Sequence, residues 1–308
     1  MSTPSNAVSE SLQAQSVAPA AFPATRSLYW SVRRELWENR SIYIAPLAVA
    51  AVALCAFLMS AIAGIWEKAL KLDPAQASEA VAQPYDIAAD LMMLTCIVVS
   101  VFYCLEALHS ERRDRSILFW KSLPVSDLTT VLAKLSIPLV VLPLLTFAIT
   151  VAMQWIMLLL SSLILLGRGQ SVAVLWTKLP FFRKSMLLLY HLLTAHALWP
   201  LPIYCWLLLV SGWARRATFL WAALPLVAIA GVELIVFRTR YFAALVGSRL
   251  IGDAPGLAYT AENAFPSGPM THIRAETFLG SPGLWIGLVV AAAFLAAAVR
   301  LRRHQASI

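Results

Sequence analysis

Six apolar runs, separated by polar or charged stretches, make up most of this chain. They cover residues 42–65, 87–108, 132–166, 186–213, 219–237 and 283–299. A helix needs about 20 apolar residues to cross the hydrocarbon of a bilayer, so each run predicts a membrane span. The third run is longer than that, which predicts a tilted helix or one whose first turns stand in water. Pro46 lies near the start of its run, where a missing N–H is tolerated. Pro138 and Pro143 predict a kink in the third run, and Pro200 and Pro202 a break in the fourth. Pro225 falls within the fifth. Ser281-Pro282 places a cap and a first-turn proline ahead of the sixth.

The polar stretches differ in kind. Residues 1–24 are rich in Ser, Ala and Pro, without the basic and apolar regions of a signal peptide, and predict a disordered tail. In residues 25–40, Leu28, Val32 and Leu36 recur on one ridge, while Arg33, Arg34, Glu35 and Glu38 supply polar groups. Thr25 is positioned to cap it. This pattern predicts a helix lying along the membrane surface before the first span. Residues 67–86, with Pro74 and Pro84, read as a loop, and Trp66 marks a membrane interface. Residues 167–185 read as a second loop. Residues 214–218, with Arg215 and Arg216, read as a tight turn. The connection over 238–282 is long, and its start, 241–251, is apolar with Arg249, as an interfacial segment would be.

The remaining insert, residues 109–128, has the densest charge. Glu111, Arg112, Arg113, Asp114 and Arg115 are followed at once by Ile117, Leu118, Phe119 and Trp120. A charge at the centre of a bilayer costs about 2.5–3.5 kcal/mol even on a lenient scale, so the insert belongs at the membrane surface. Its aromatic and aliphatic residues exceed what a plain solvated loop requires. Ser126 predicts a helix N-cap, with Asp127 in the favourable first turn.

Composition agrees with a polytopic membrane protein. Of the 308 residues 60% are hydrophobic and only 13% charged, and mean hydropathy is +0.75, whereas soluble domains carry about 25% charge. The formal charge of +8 flanks apolar runs, so anionic headgroups explain it better than nucleic acid. An even number of spans puts both termini on one side, and that side holds 14 of the 24 Lys and Arg. The positive-inside rule then predicts cytoplasmic termini and a cytoplasmic insert. Gly167–Ser185 carries four basic residues on the other side and argues against this.

Candidate chemistry is sparse. There is no G-x-x-x-x-G-K-[ST] loop, so the chain holds no ATPase site of that kind. The stretch Leu166-Gly167-Arg168-Gly169-Gln170 is only faintly like an ABC signature and sits at a span end. Pro266-Ser267-Gly268 has Pro269 where a phosphatase histidine would stand. Cys55, Cys96, Cys104 and Cys205 fall inside apolar runs and predict neither disulfides nor a metal site. His191 and His196 are five apart, off the i, i+4 spacing of zinc helices, and read as packed histidines. Glu106 and His109 read as a surface polar pair. Glu233 lies inside the fifth run, and an intramembrane acid is a functional candidate by default. The bland reading pairs it structurally with Arg238 or a neighbouring helix.

The block from Glu111 to Ser126, with its charge cluster, apolar residues and Ser122-Leu123-Pro124, resembles the hallmark block of type-two ABC exporter permeases. The order of surface helix, two spans, charged insert and four further spans is similar to that family over most of the chain from residue 25. The family often has Gly where this chain has Asp114 or Arg115-Ser116. The resemblance implies an all-α permease subunit of a bacterial inner membrane, with residues 25–39 as an elbow helix and the insert as a cytoplasmic coupling helix. It implies a homodimer with a second permease copy and a separate ABC ATPase subunit that binds ATP and Mg; no cofactor is expected in this chain. Glu111, Arg112, Arg113, Asp114 and Arg115 would form salt bridges to the ATPase, and Ile117, Phe119 and Trp120 would anchor in it. The rivals are a secondary transporter or channel centred on Glu233, an intramembrane hydrolase, and a membrane anchor that recruits a partner through the same insert.

Overall fold

The computed structural model describes residues 24–63, 74–113, 126–167, 169, 172–173, 176, 181–251 and 278–304. Among them all regular structure is helical. The helices are α1 (Ala24–Glu38), α2 (Ser41–Ile62), α3 (Pro74–Glu106), α4 (His109–Arg113), α5 (Asp127–Ser136), α6 (Leu142–Gly167), α7 (Phe181–Leu193), α8 (Leu201–Trp213), α9 (Thr218–Phe237), α10 (Tyr241–Ile251) and α11 (Pro282–His304). Five helices are long and apolar enough to cross a membrane, and the bent pair Phe181–Leu198 and Leu201–Trp213 makes a sixth if counted as one span. The architecture is that of a multi-pass membrane protein.

Several details depart from expectation, among them the loop expected over 167–185, which is helical from Phe181 onward. The loop expected over 67–86 is helical from Pro74 onward. Ala, Gln and Glu in 75–83 are strong helix formers, and Pro74 occupies the first position, where no N–H is required. Thr25 lies inside α1, which begins at Ala24, so it is not the cap. Ser281 precedes α11 as predicted, but its hydroxyl donates to the Phe278 carbonyl.

The prolines act through their missing donors. Around Pro138 the chain forms one π-turn, Ile137–Val141, and α5 runs through it into α6 as a single long helix. The expected kink is thus absorbed as a π-bulge. At Pro200 the break is real: the two halves of the fourth span meet at 46°. Pro200 offers no N–H to the His196 carbonyl four residues earlier, and the Tyr204 hydroxyl donates to that oxygen instead at 2.8 Å.

Packing divides the bundle. Toward the termini side, α8 packs on α11 and α3, and α1 packs on α5. Their core includes Tyr103, Cys104, Leu135, Ile137, Tyr204 and Leu208. Toward the other side α2, α3 and α6 enclose Phe57, Tyr85, Met92, Met153 and Met157. The exception is α9, in which only Ala222 is buried. Its Val227, Ile235 and Phe237 are each more than two-thirds exposed, and this greasy surface suits lipid.

Candidate functional site

The insert leaves α3 through a break at Ala107–Leu108, and the orphaned donors there are satisfied from a distant helix. Ser211 of α8 accepts from the Leu108 and His109 amides, both at 3.0 Å. His109 Nδ1 lies 3.2 Å from the Ala214 carbonyl, and Arg112 donates to the Gly212 carbonyl. The start of the insert is therefore stapled to the termini-side end of the fourth span. Glu106 is exposed and His109 faces Ala214, so the expected Glu106–His109 surface pair does not describe these two residues.

Glu111 then turns inward. It is only 4% exposed. One carboxylate oxygen takes Arg302 of α11 at 2.7 Å and the other lies 3.1 Å from Lys134 of α5, with Arg34 of α1 at 3.7 Å. Lys134 also donates to Glu35 of α1 at 2.7 Å, and Arg302 to Asp127 at 3.0 Å. The Tyr103 hydroxyl donates to the second Glu35 oxygen at 2.9 Å. Four acids (Glu35, Glu38, Glu111, Asp127) thus meet three bases (Arg34, Lys134, Arg302). Lys134, Glu35, Glu111 and Arg302 are all nearly inaccessible to solvent. Such a cluster is stable only because its buried members, two acids and two bases, offset one another. It ties five segments that are far apart in sequence into one body: α1, the end of α3, the insert, the start of α5 and the end of α11.

The Glu111 carboxylate is enclosed by Lys134 and Arg302 and bonds within the chain. Arg113 is exposed, and Arg112 is half-buried. Asp114, Arg115, Ile117, Phe119 and Trp120 lie outside the described residues. Ser126 caps α5 as predicted, accepting from the Thr129 amide at 3.1 Å.

Sequence reading placed Lys134 and Arg302 among topogenic charges and Glu35 among the polar groups of a surface helix. One signal was available. Glu35 lies seven residues after Leu28, so it falls on the apolar ridge of α1, where an unpaired acid is untenable. Its partner, ninety-nine positions away, is set by the fold alone.

Glu233 has a different environment. It is half-exposed at the end of α9 opposite the termini, and its carboxylate accepts from Thr239 Oγ1 and from the amides of Tyr241 and Phe242 at 2.7–2.9 Å. It is an N-cap for α10, supplied from outside that helix. Among the described residues it makes no ion pair with Arg238. Arg249 of α10 is not an interfacial side chain: it is 8% exposed, lies 3.9 Å over the Trp199 ring, and donates to the Trp199 and Gly283 carbonyls. The Trp199 oxygen is another acceptor left over by the break at Pro200, since the Ile203 amide bonds Pro200. Burial lowers the Arg249 pKa from its usual value. His191 and His196 are buried, and no group of His, Cys, Asp and Glu among the described residues has a metal-binding arrangement.

Comparison with known proteins gave no match to a family model, a curated protein or a solved structure.

Proposed function

We propose that this chain is the membrane-spanning permease subunit of an ATP-binding cassette exporter, working as a homodimer with separate ATPase subunits seated on residues 109–128. In this reading α1 is the elbow helix, the insert is the coupling helix, the termini are cytoplasmic, and ATP and Mg are bound by the partner. The observation that carries the reading is the ion cluster around Glu111. A coupling element must pass force from a docked motor into the spans without yielding. Glu111 joins the insert directly to α5 and α11, and Lys134 extends the joint to α1. A push on the insert then moves these elements together, as rigid-body switching requires. Docking falls to the exposed Arg113 and the half-buried Arg112.

The test is to isolate the tagged, detergent-solubilised protein from its native membrane, identify what accompanies it by mass spectrometry, and assay ATPase activity. Reversing Arg112 and Arg113 to Glu is expected to abolish co-purification and ATPase stimulation while membrane insertion and the gel-filtration profile stay normal. Unchanged stimulation in that double variant overturns the docking assignment. The rival, a transporter that needs no ATPase, draws on Asp90, a 7% exposed acid in α3 whose Oδ1 has no hydrogen-bond partner. A chain that purifies alone and without ATPase activity favours it.

A further inference from the structure

Beside the ion cluster, and distinct from it, a cleft of about 580 Å³ opens on the termini side. It is lined by His109, Arg112, Arg113, Arg215, Arg216 and Ala217 of the insert and of the turn between α8 and α9. No carboxylate lines it among the described residues. Its chemistry is the opposite of the neighbouring cluster: the guanidiniums of Arg112, Arg215 and Arg216 converge where the cluster sets acid against base. Convergence of like charges is unfavourable unless an anion is present to offset it.

A second feature points to the same kind of ligand. Ala217 adopts a left-handed conformation, with φ 51° and ψ 53°, and makes the sharp start of α9. Its side chain supplies no cap, so no side-chain acceptor from the N-cap position meets the first amides of this 20-residue helix. The positive end of α9 therefore borders a cleft already rich in arginine. Guanidiniums and uncapped amides together are the donor set that phosphate oxygens take.

Depth selects the source of the phosphate. Trp213 and Trp221 flank the turn, ring against ring at 5.0 Å, and both are about half exposed. Exposed tryptophans of this kind mark the headgroup layer. Directly beyond them Phe219 and Leu220 begin the exposed apolar surface of α9. A cleft for a phosphate at headgroup depth thus continues into a surface that suits acyl chains.

We propose that this cleft binds the phosphate headgroup of an anionic phospholipid, whose acyl chains lie along α9. Arg215 and Arg216 clamp the phosphate from the turn, and Arg112 and His109 close the inner wall. The assignment does not depend on the ATPase reading.

The test uses the full chain in nanodiscs of phosphatidylcholine with increasing phosphatidylglycerol, reading lipid retained on the protein by native mass spectrometry after gentle release. Phosphatidylglycerol is expected to be retained in preference to phosphatidylcholine. Arg215→Gln with Arg216→Gln is expected to weaken that retention about tenfold or more, the scale set by two basic groups at an anionic surface. Both side chains are exposed in the turn, so the fold is expected to survive, and Arg215→Lys with Arg216→Lys is expected to restore much of the preference. Equal retention of the two lipids, or an unchanged preference in the Gln variant, overturns the proposal. So does full displacement by millimolar inorganic phosphate, which makes the ligand a free anion. Tighter binding of a polyglutamate peptide than of phosphatidylglycerol also overturns it and assigns the cleft to an acidic protein segment.

Discussion

The two ends of the bundle hold charge in different ways. On the termini side, Glu35, Glu111, Lys134 and Arg302 satisfy one another across four elements. At the far end, Glu233 and Arg249 each stand alone and bond mainly backbone groups: amides at the start of α10 for the acid, carbonyls at a broken helix and at the start of α11 for the base. The first arrangement is collective, so loss of one member leaves another charge uncompensated. The second is local, so its loss frees a few backbone groups and one short helix. The termini-side end is tied together by shared charges, and Glu233 and Arg249 at the far end are held by local contacts.

Lys134→Met strains this contrast most. It leaves Glu35 and Glu111 buried without their shared cation, and removal of one partner from a buried ion pair costs about 3–5 kcal/mol. Thermal unfolding in detergent is expected to fall sharply, with α1 and α11 losing hydrogen-exchange protection together. Loss of protection confined to α5 would show that the cluster is not collective.

Gly287→Ala is expected to come next. A Cβ there would stand 2.5 Å from the Arg249 Nη1 and 2.9 Å from its Nη2, so the guanidinium must leave its place. Overpacking of this kind costs about 1–3 kcal/mol. The expected readout is a lower unfolding temperature and deprotection of α10, with the termini side unchanged.

Ser126→Ala removes a cap at the edge of the cluster and is expected to cost about 1 kcal/mol. The effect should appear as fraying at the start of α5, measured by exchange at residues 127–130. The smallest global effect is expected of Glu233→Gln. That variant weakens acceptance from the Tyr241 and Phe242 amides, so α10 should exchange faster while the unfolding temperature of the whole protein holds. A large fall in that temperature would make Glu233 a member of a wider network and erase the contrast.

Much of the outline was legible in sequence because hydrocarbon imposes a simple rule: apolar stretches of spanning length with few charges. The six runs reappear as five helices and one bent pair, and Pro200 breaks the fourth as its missing N–H requires. Ser126 was legible because capping is local. The helix over Pro74–Glu106 was not, since polarity was read as loop while Ala, Gln and Glu favoured helix. The partners of Glu111 were not legible for a deeper reason. An acid beside Arg112 and Arg113 in sequence looks like part of one exposed cluster, yet successive residues of a helix point to different sides.

The sequence by itself determined that the chain crosses a membrane several times, where most spans begin and end, and which charges must avoid hydrocarbon. These follow from transfer energies summed along the chain, which need no knowledge of neighbours. Only the tertiary structure decided which charges meet. Glu35 finds Lys134 and Glu111 finds Arg302 across ninety-nine and one hundred and ninety-one positions. Pairing is a property of distance in space, and at those separations only the packing of α1, α5 and α11 brings the groups together. The same packing left Arg112, Arg215 and Arg216 without an acid among the described residues lining their cleft, and made adjacent charges into two sites of different character.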